Sequence, residues 1–310
     1  MVTTSGAVVS RDVRASPERR RRTLLLGVAA TLVAGLAGWT WLSRDGSGTS
    51  SGPAACSSEQ LRSLDLSRQD QGRLAWSDDF DGPTVDRDRW TVRDDTSLSF
   101  DQARIERSAV SVKDGRLRIT ARSGGTPERP VVTGYLDTIG HHEQRYGRWE
   151  MRARLPVDAG RSRALWPAFW LRETDGPAEI DVMEAWGTPV TDGRSLPGSA
   201  AWAVHSDTES GPGSQSLRGW SAPDLQLDRG LHDFAVDRVP GCLRFSVDGR
   251  TTGVVQTRDA PWLASTGALN IRLNLQVGGA YWGRLDPSRP GTTRLPATFE
   301  VDRIRVYLPR

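Results

Sequence analysis

From residue 72 onward the chain is written in short runs whose side chains alternate between apolar and polar. Residues 116–122 (RLRITAR), 147–155 (GRWEMRARL), 243–247 (LRFSV) and 298–308 (TFEVDRIRVYL) are examples. Period-two alternation places one set of side chains on each face of a strand, so each run can bury one side and hydrate the other. Turn signals such as Lys113-Asp114-Gly115 and Val247-Asp248-Gly249 separate the runs. Helical periodicity is nearly absent in this part. Many short strands with one apolar face each have to stack as sheets, which predicts an all-β sandwich or jelly roll of antiparallel sheets.

One run carries chemistry. Residues 178–187 read Ala-Glu-Ile-Asp-Val-Met-Glu-Ala-Trp-Gly. On a strand, Glu179 and Asp181 share a face while Ile180 and Val182 point the other way. Strict alternation puts Glu184 on the wrong face, and one extra residue, a β-bulge at Val182 or Met183, returns it beside the other two. A helix at ~100° per residue scatters the three acids. Two glutamates and an aspartate on one face are what two-carboxylate glycoside hydrolysis requires. Crowding also keeps a proton on one member near neutrality, as a general acid needs. The competing reading is a solvated acidic strand face. Trp166, Trp170 and Trp186 flank the acids. Indole faces stack on the apolar faces of sugars, so these three are candidate substrate platforms, with Trp166 and Trp170 on one face of their strand together with Ala168.

The chain has 310 residues and a formal charge of +3, but residues 1–42 carry six arginines against Asp12 and Glu18, leaving the remainder at −1. That balance gives no nucleic-acid footprint. Residues 1–22 read as a basic cytoplasmic stub. Residues 23–42 are uncharged and long enough to cross a bilayer as one N-terminal hydrophobic helix, with Arg19–Arg22 held inside. A cleaved signal peptide, including a twin-arginine signal at Arg21-Arg22, is the alternative. Either way the bulk of the protein is expected outside the cytoplasm, anchored to the membrane or secreted. Residues 43–72 form a linker and 73–310 the main domain. Cys56 and Cys242 are the two cysteines. An oxidising compartment permits a disulfide between them, and two free or buried thiols are the other reading.

The domain resembles glycoside hydrolase family 16, the retaining β-glucanases of the laminarinase and lichenase type. The resemblance rests on Glu179-Ile180-Asp181-Val182-Met183-Glu184, on residues 146–156 (YGRWEMRARLP) and on 165–171 (LWPAFWL). Residues 232–237 (HDFAVD), 245–249 (FSVDG), 273–279 (LNLQVGG), 299–307 (FEVDRIRVY) and 76–82 (WSDDFDG) also carry it. It covers about residues 74–308. It implies a concanavalin-like jelly roll with a sugar cleft on the concave face, Glu179 as nucleophile, Asp181 as its helper and Glu184 as acid/base. His205 resembles a histidine of the neighbouring cleft strand that tunes the acid/base. The resemblance further implies a structural calcium on the convex side at Asp79, the Gly115 carbonyl and Asp302, and no cofactor for catalysis.

The expected function is a monomeric, extracytoplasmic endo-β-glycoside hydrolase acting on a polysaccharide, a β-1,3- or β-1,3-1,4-glucan, by double displacement. An envelope-glycan transglycosylase, a galactan hydrolase of the agar or carrageenan type and a non-catalytic carbohydrate-binding module are the alternatives. Residues 133–137 (TGYLD) and the loop near 94–102 depart from the laminarinase pattern, so the acids alone do not choose the sugar.

Overall fold

The computed structural model describes residues 73–98, 101–158, 160–187, 200–206, 227, 229–279, 283–285 and 292–309, and the backbone of 215–220. They fall within the compact unit Ser50–Arg310. The hydrophobic segment 23–42, the linker and Cys56 lie outside the described residues. Among those described, no helix is long and apolar enough to cross a membrane.

The strands run β1 (Leu74–Asp78), β2 (Thr91–Val92), β3 (Ala103–Ile105), β4 (Val110–Lys113), β5 (Arg116–Ser123), β6 (Val131–Thr133), β7 (Tyr135–Asp137), β8 (Glu143–Gln144) and β9 (Gly147–Arg154). They continue as β10 (Leu165–Arg172), β11 (Ala178–Glu184), β12 (Ala201–Ser206), β13 (Gln215–Trp220), β14 (His232–Val239), β15 (Cys242–Val247), β16 (Arg250–Gln256), β17 (Leu269–Val277) and β18 (Ala297–Tyr307). Two sheets result. One has the order β16-β15-β14-β9-β18-β5-β6-β3, with β1 on β18 and β4 on β5. The other has the order β13-β12-β11-β10-β17-β7-β2, with β8 on β17. Pairing is antiparallel except between β3 and β6.

The alternation read in the sequence is the burial pattern observed. On β5, Leu117, Ile119 and Ala121 are fully buried, while Arg116, Arg118, Thr120 and Arg122 are not. The Lys113-Asp114-Gly115 turn closes β4 on β5 with Asp114 and Gly115 both at positive φ, the left-handed pair that a tight hairpin requires. Asp248 and Gly249 do the same between β15 and β16.

Inner faces of the two sheets meet in one core. Trp149, Met151, Phe234, Phe245, Phe299 and Ile304 come from the first sheet, and Leu165, Phe169, Leu171, Ile180, Leu273 and Leu275 from the second. Trp202 of β12 stacks on Phe245 at 4.7 Å and 10° between planes. A Cβ at Gly253 would lie 2.2 Å from that indole, so the glycine makes room for the inter-sheet contact. A register shift of β16 against β15 sits beside it, and the Trp202 indole donates to the Thr252 carbonyl at 3.1 Å.

The outer face of the first sheet is laced with cross-strand ion pairs. Arg148 bridges Glu150 and Asp237, and Arg244 joins Asp237 from the next strand. Arg152 and Arg303 share Asp233. The second sheet has a different outer face, and it is there that the acids lie.

Candidate active site

Strand β11 carries the three acids because of one extra residue. Against β10, Met183 pairs with Phe169 and Asp181 with Trp170, so Val182 has no opposite number. Against β12 the register also shifts between Asp181 and Glu184. This bulge turns Glu184 onto the face of Glu179 and Asp181 and sends Val182 and Met183 into the core. Trp186-Gly187 ends the segment, and Gly187 donates its N–H to the Leu165 carbonyl at 3.3 Å. A Cβ at Gly187 would stand 1.9 Å from the Ser162 carbonyl oxygen, which explains why the run closes on glycine.

The register fills in the surroundings. Glu179 faces Arg172 on one side and His205 on the other, Asp181 faces Trp170 and Ala203, and Glu184 faces Ala168 and Ala201. The alanines put only small side chains beside Asp181 and Glu184. Arg172 donates from Nη1 to Glu179 Oε2 at 2.5 Å. His205 Nε2 lies 3.0 Å from Asp181 Oδ2. Ligand atoms of Glu179, Asp181 and His205 fall within 4.8 Å of one another. Asp181 and Glu184 are each 4% exposed, while the Glu179 carboxylate is more open, at 20%. A buried charge needs fixed partners, and these contacts supply them for Glu179 and Asp181.

The rest of the floor comes from β10, β17 and β7. On β17, Leu269, Ile271, Leu273, Leu275 and Val277 enter the core, and Asn270, Arg272, Asn274 and Gln276 take the other face. Trp170 Nε1 donates to Asn274 Oδ1 at 2.7 Å, and the Arg272 guanidinium lies 4.9 Å from the Trp170 ring centre. Tyr135 packs edge-on to Trp170. Burial pushes the Tyr135 hydroxyl up to about 12, so it stays a neutral phenol that both donates and accepts.

Several expectations need adjusting. Trp166 and Trp170 lie on the cleft face, half-buried. Trp186 is 3% exposed and stacks behind Trp166 at 6.2 Å, so it backs that ring and offers no platform of its own. His205 engages Asp181, the central acid, through Nε2. The proposed calcium donors are taken by arginines. Asp302 contacts Arg116, Arg152 and Arg303, and Asp79 contacts Arg305 at 3.1 Å. A dication at these carboxylates would have to displace several guanidinium groups, so the donor set does not fit calcium. Cys242 is disulfide-bonded, and Cys56 is the other cysteine of the chain. Arg172, Arg272, Tyr135 and Asn274 were not singled out from sequence. The alternation of 270, 272, 274 and 276 with the apolar odd positions was the available signal.

The model of the family described as Glycosyl hydrolases family 16 matches residues 99–293. The chain belongs to this family. Among curated proteins, this family 16 chain is 28% identical over 272 residues to "Glucan endo-1,3-beta-glucosidase A1" of Niallia circulans, covering 76% of the chain and 37% of that protein. It is 29% identical to "Beta-glucanase" of Rhodothermus marinus, covering 76% of the chain and 84% of that protein. Thus the chain spans little more than a third of the length of the first of these relatives. Among solved structures, the endo-beta-1,3-glucanase from Pyrococcus furiosus superposes with a TM-score of 0.64 at 26% identity, covering 76% of this chain and 94% of that one. The fold of two packed, mainly antiparallel sheets is therefore shared with that structure.

Proposed function

We propose that the chain is an endo-acting β-glucan hydrolase that cleaves β-1,3- or β-1,3-1,4-linked chains with retention of configuration. The observation that carries this reading is the bulge at Val182, which sets Glu179, Asp181 and Glu184 on one face. Glu179 attacks the anomeric carbon and forms a glycosyl ester as the bond to the leaving oxygen breaks. Glu184 gives that oxygen a proton, then takes one from the water that cleaves the ester. Arg172 and Asp181 flank the nucleophile, and His205 holds Asp181 from the far side. Trp166 and Trp170 offer ring faces along the floor. Family membership and the glucanase relatives support the same chemistry.

We assign the activity to the outer side of the membrane. The uncharged segment 23–42 serves as anchor or export signal, and the disulfide at Cys242 accords with an oxidising compartment. Peptide mapping of the membrane and medium fractions tests this: recovery of residues 1–22 only on cytosolic, uncleaved protein without a disulfide would refute it.

For the chemistry, the purified protein is incubated with β-1,3-glucan and with mixed-linkage glucan, and fresh ends are followed by proton NMR. New β-anomers appearing first, with products of several sizes, are expected. Glu179→Gln should lower kcat by about a thousandfold or more while affinity electrophoresis still retards the protein in glucan gels. Unchanged turnover removes Glu179 as nucleophile, and α-anomers appearing first remove retention.

A further inference from the structure

The cleft floor contains a cation that neutral glucan does not explain. Register aligns Asp137, Arg272, Trp170 and Asp181 across β7, β17, β10 and β11. At ~4.8 Å per strand, the Arg272 Cα lies roughly 10 Å from that of Asp181, close enough to meet a sugar held beside the scissile bond. The Arg272 guanidinium rests on Trp170 at 4.9 Å. Nε donates to Asn270 Oδ1 at 2.9 Å, and Nη1 to the Tyr135 hydroxyl at 3.4 Å. Both partners are neutral. The cross-strand carboxylate, Asp137, is fully buried and held by Arg93 at 2.6 Å. No carboxylate among the described residues forms an ion pair with Arg272. Arg172, also on this face, is engaged by Glu179.

A guanidinium fixed by stacking and two neutral hydrogen bonds keeps donors over, and among the described residues no carboxylate pairs with it. A neutral sugar laid over it displaces water from that charge and returns only neutral hydrogen bonds. A carboxylate or sulfate oxygen pair matches the guanidinium fork and forms charge-assisted bonds roughly twice as strong. Trp170 beneath it holds the fork in place, so the ring that carries the anion lies beside that indole.

We infer that the cleft is built for a glycan bearing an acidic substituent, and that Arg272 is the specificity residue that reads it. This narrows the substrate of the hydrolase proposed above and rests on that reading. The anion is of the carboxylate or sulfate ester class, carried by the sugar that lies beside Trp170.

The test uses one soluble β-1,3-glucan carrying carboxymethyl, sulfate or neutral hydroxyethyl groups at equal substitution. The wild-type kcat/KM for the better acidic polymer should exceed that for the hydroxyethyl polymer by about tenfold at low salt. The excess should shrink in high salt. Arg272→Gln should lower the acidic-to-neutral ratio about tenfold, the loss of one charge-assisted pair. Arg272→Lys should restore part of it, because the charge returns without the fork. The larger response identifies carboxylate or sulfate as the class read. Melting curves check that each variant folds. Equal kcat/KM for acidic and neutral polymers, or a ratio that Arg272→Gln leaves unmoved, overturns the inference while leaving the hydrolase reading intact. If no polymer is cut, the hydrolase reading fails, and affinity electrophoresis of the wild type against Arg272→Gln decides the anion site separately. Retardation by the acidic polymer that the substitution weakens supports it, and equal retardation refutes it.

Discussion

Asp101 gives the sharpest quantitative handle on this fold. It is 7% exposed. Its Oδ1 accepts N–H groups from Ala103 at 2.9 Å and from Val277 at 3.2 Å, which ties the loop before β3 to the end of β17. Its Oδ2 is buried with no hydrogen-bond partner among the described residues. Burial outweighs the backbone donors and pushes the carboxyl from 3.8 up to about 7. The native state therefore keeps a proton that the unfolded chain releases above pH 4. Stability from this group is present in full below the unfolded value and is lost as the pH rises toward about 7. A shift of roughly three units at ~1.4 kcal/mol each sets an upper bound of ~4 kcal/mol on the cost at pH 8.

Asp101→Asn keeps the accepting oxygen and removes the charge. Its amide takes the place of Oδ2 without a partner, which returns about 1–3 kcal/mol of the gain. The net expectation is a stabilisation of about 2 kcal/mol at pH 8, or a rise in Tm of about 4–8 °C for a domain of this size. At pH 5 the folded carboxyl is neutral and the unfolded one ionised, so linkage contributes only ~1.6 kcal/mol; the unpartnered amide offsets this, and the melting points should nearly coincide. Scanning calorimetry of both proteins at pH 5 and pH 8 reads this directly. An equal shift at the two pH values, or a lower Tm for the asparagine variant at pH 8, refutes the assignment of a buried, reluctantly ionised carboxyl.

Two further outcomes follow from packing and charge. Gly187→Ala forces a methyl group against the Ser162 carbonyl and should cost about 1–3 kcal/mol in urea unfolding; a neutral effect would mean that the end of β11 relaxes freely. Chelator should leave Tm within about 1 °C of the untreated protein, because Asp79 and Asp302 are already held by arginines, which leaves an ion little to add by linkage. A calcium-dependent rise in Tm would restore the convex-side ion.

The legible part of the site was the part governed by local geometry. Once β11 is a strand, period-two alternation places Glu179 and Asp181 together, and the mismatch at Glu184 demands a bulge, which is found at Val182. The same rule separated Trp166 and Trp170 from the core. Trp186 escaped it because the strand ends before that residue, and beyond a strand alternation no longer says which way a ring points. The arginines around the expected calcium carboxylates are neighbours that no local pattern reveals: Arg116 stands 186 residues from Asp302 and reaches it only across the sheet.

The sequence by itself determined that this is a sheet protein, where its turns fall, and that one strand presents three acids on a common face. Those are consequences of side-chain period and turn chemistry, which act over a few residues. Tertiary structure alone decided the partners: Arg172 on Glu179, His205 on Asp181, Arg272 over Trp170, and Asn274 on an indole 104 residues away. Register between strands selects them. It is fixed by how two whole sheets bury their apolar faces against each other, so a single strand does not contain that information.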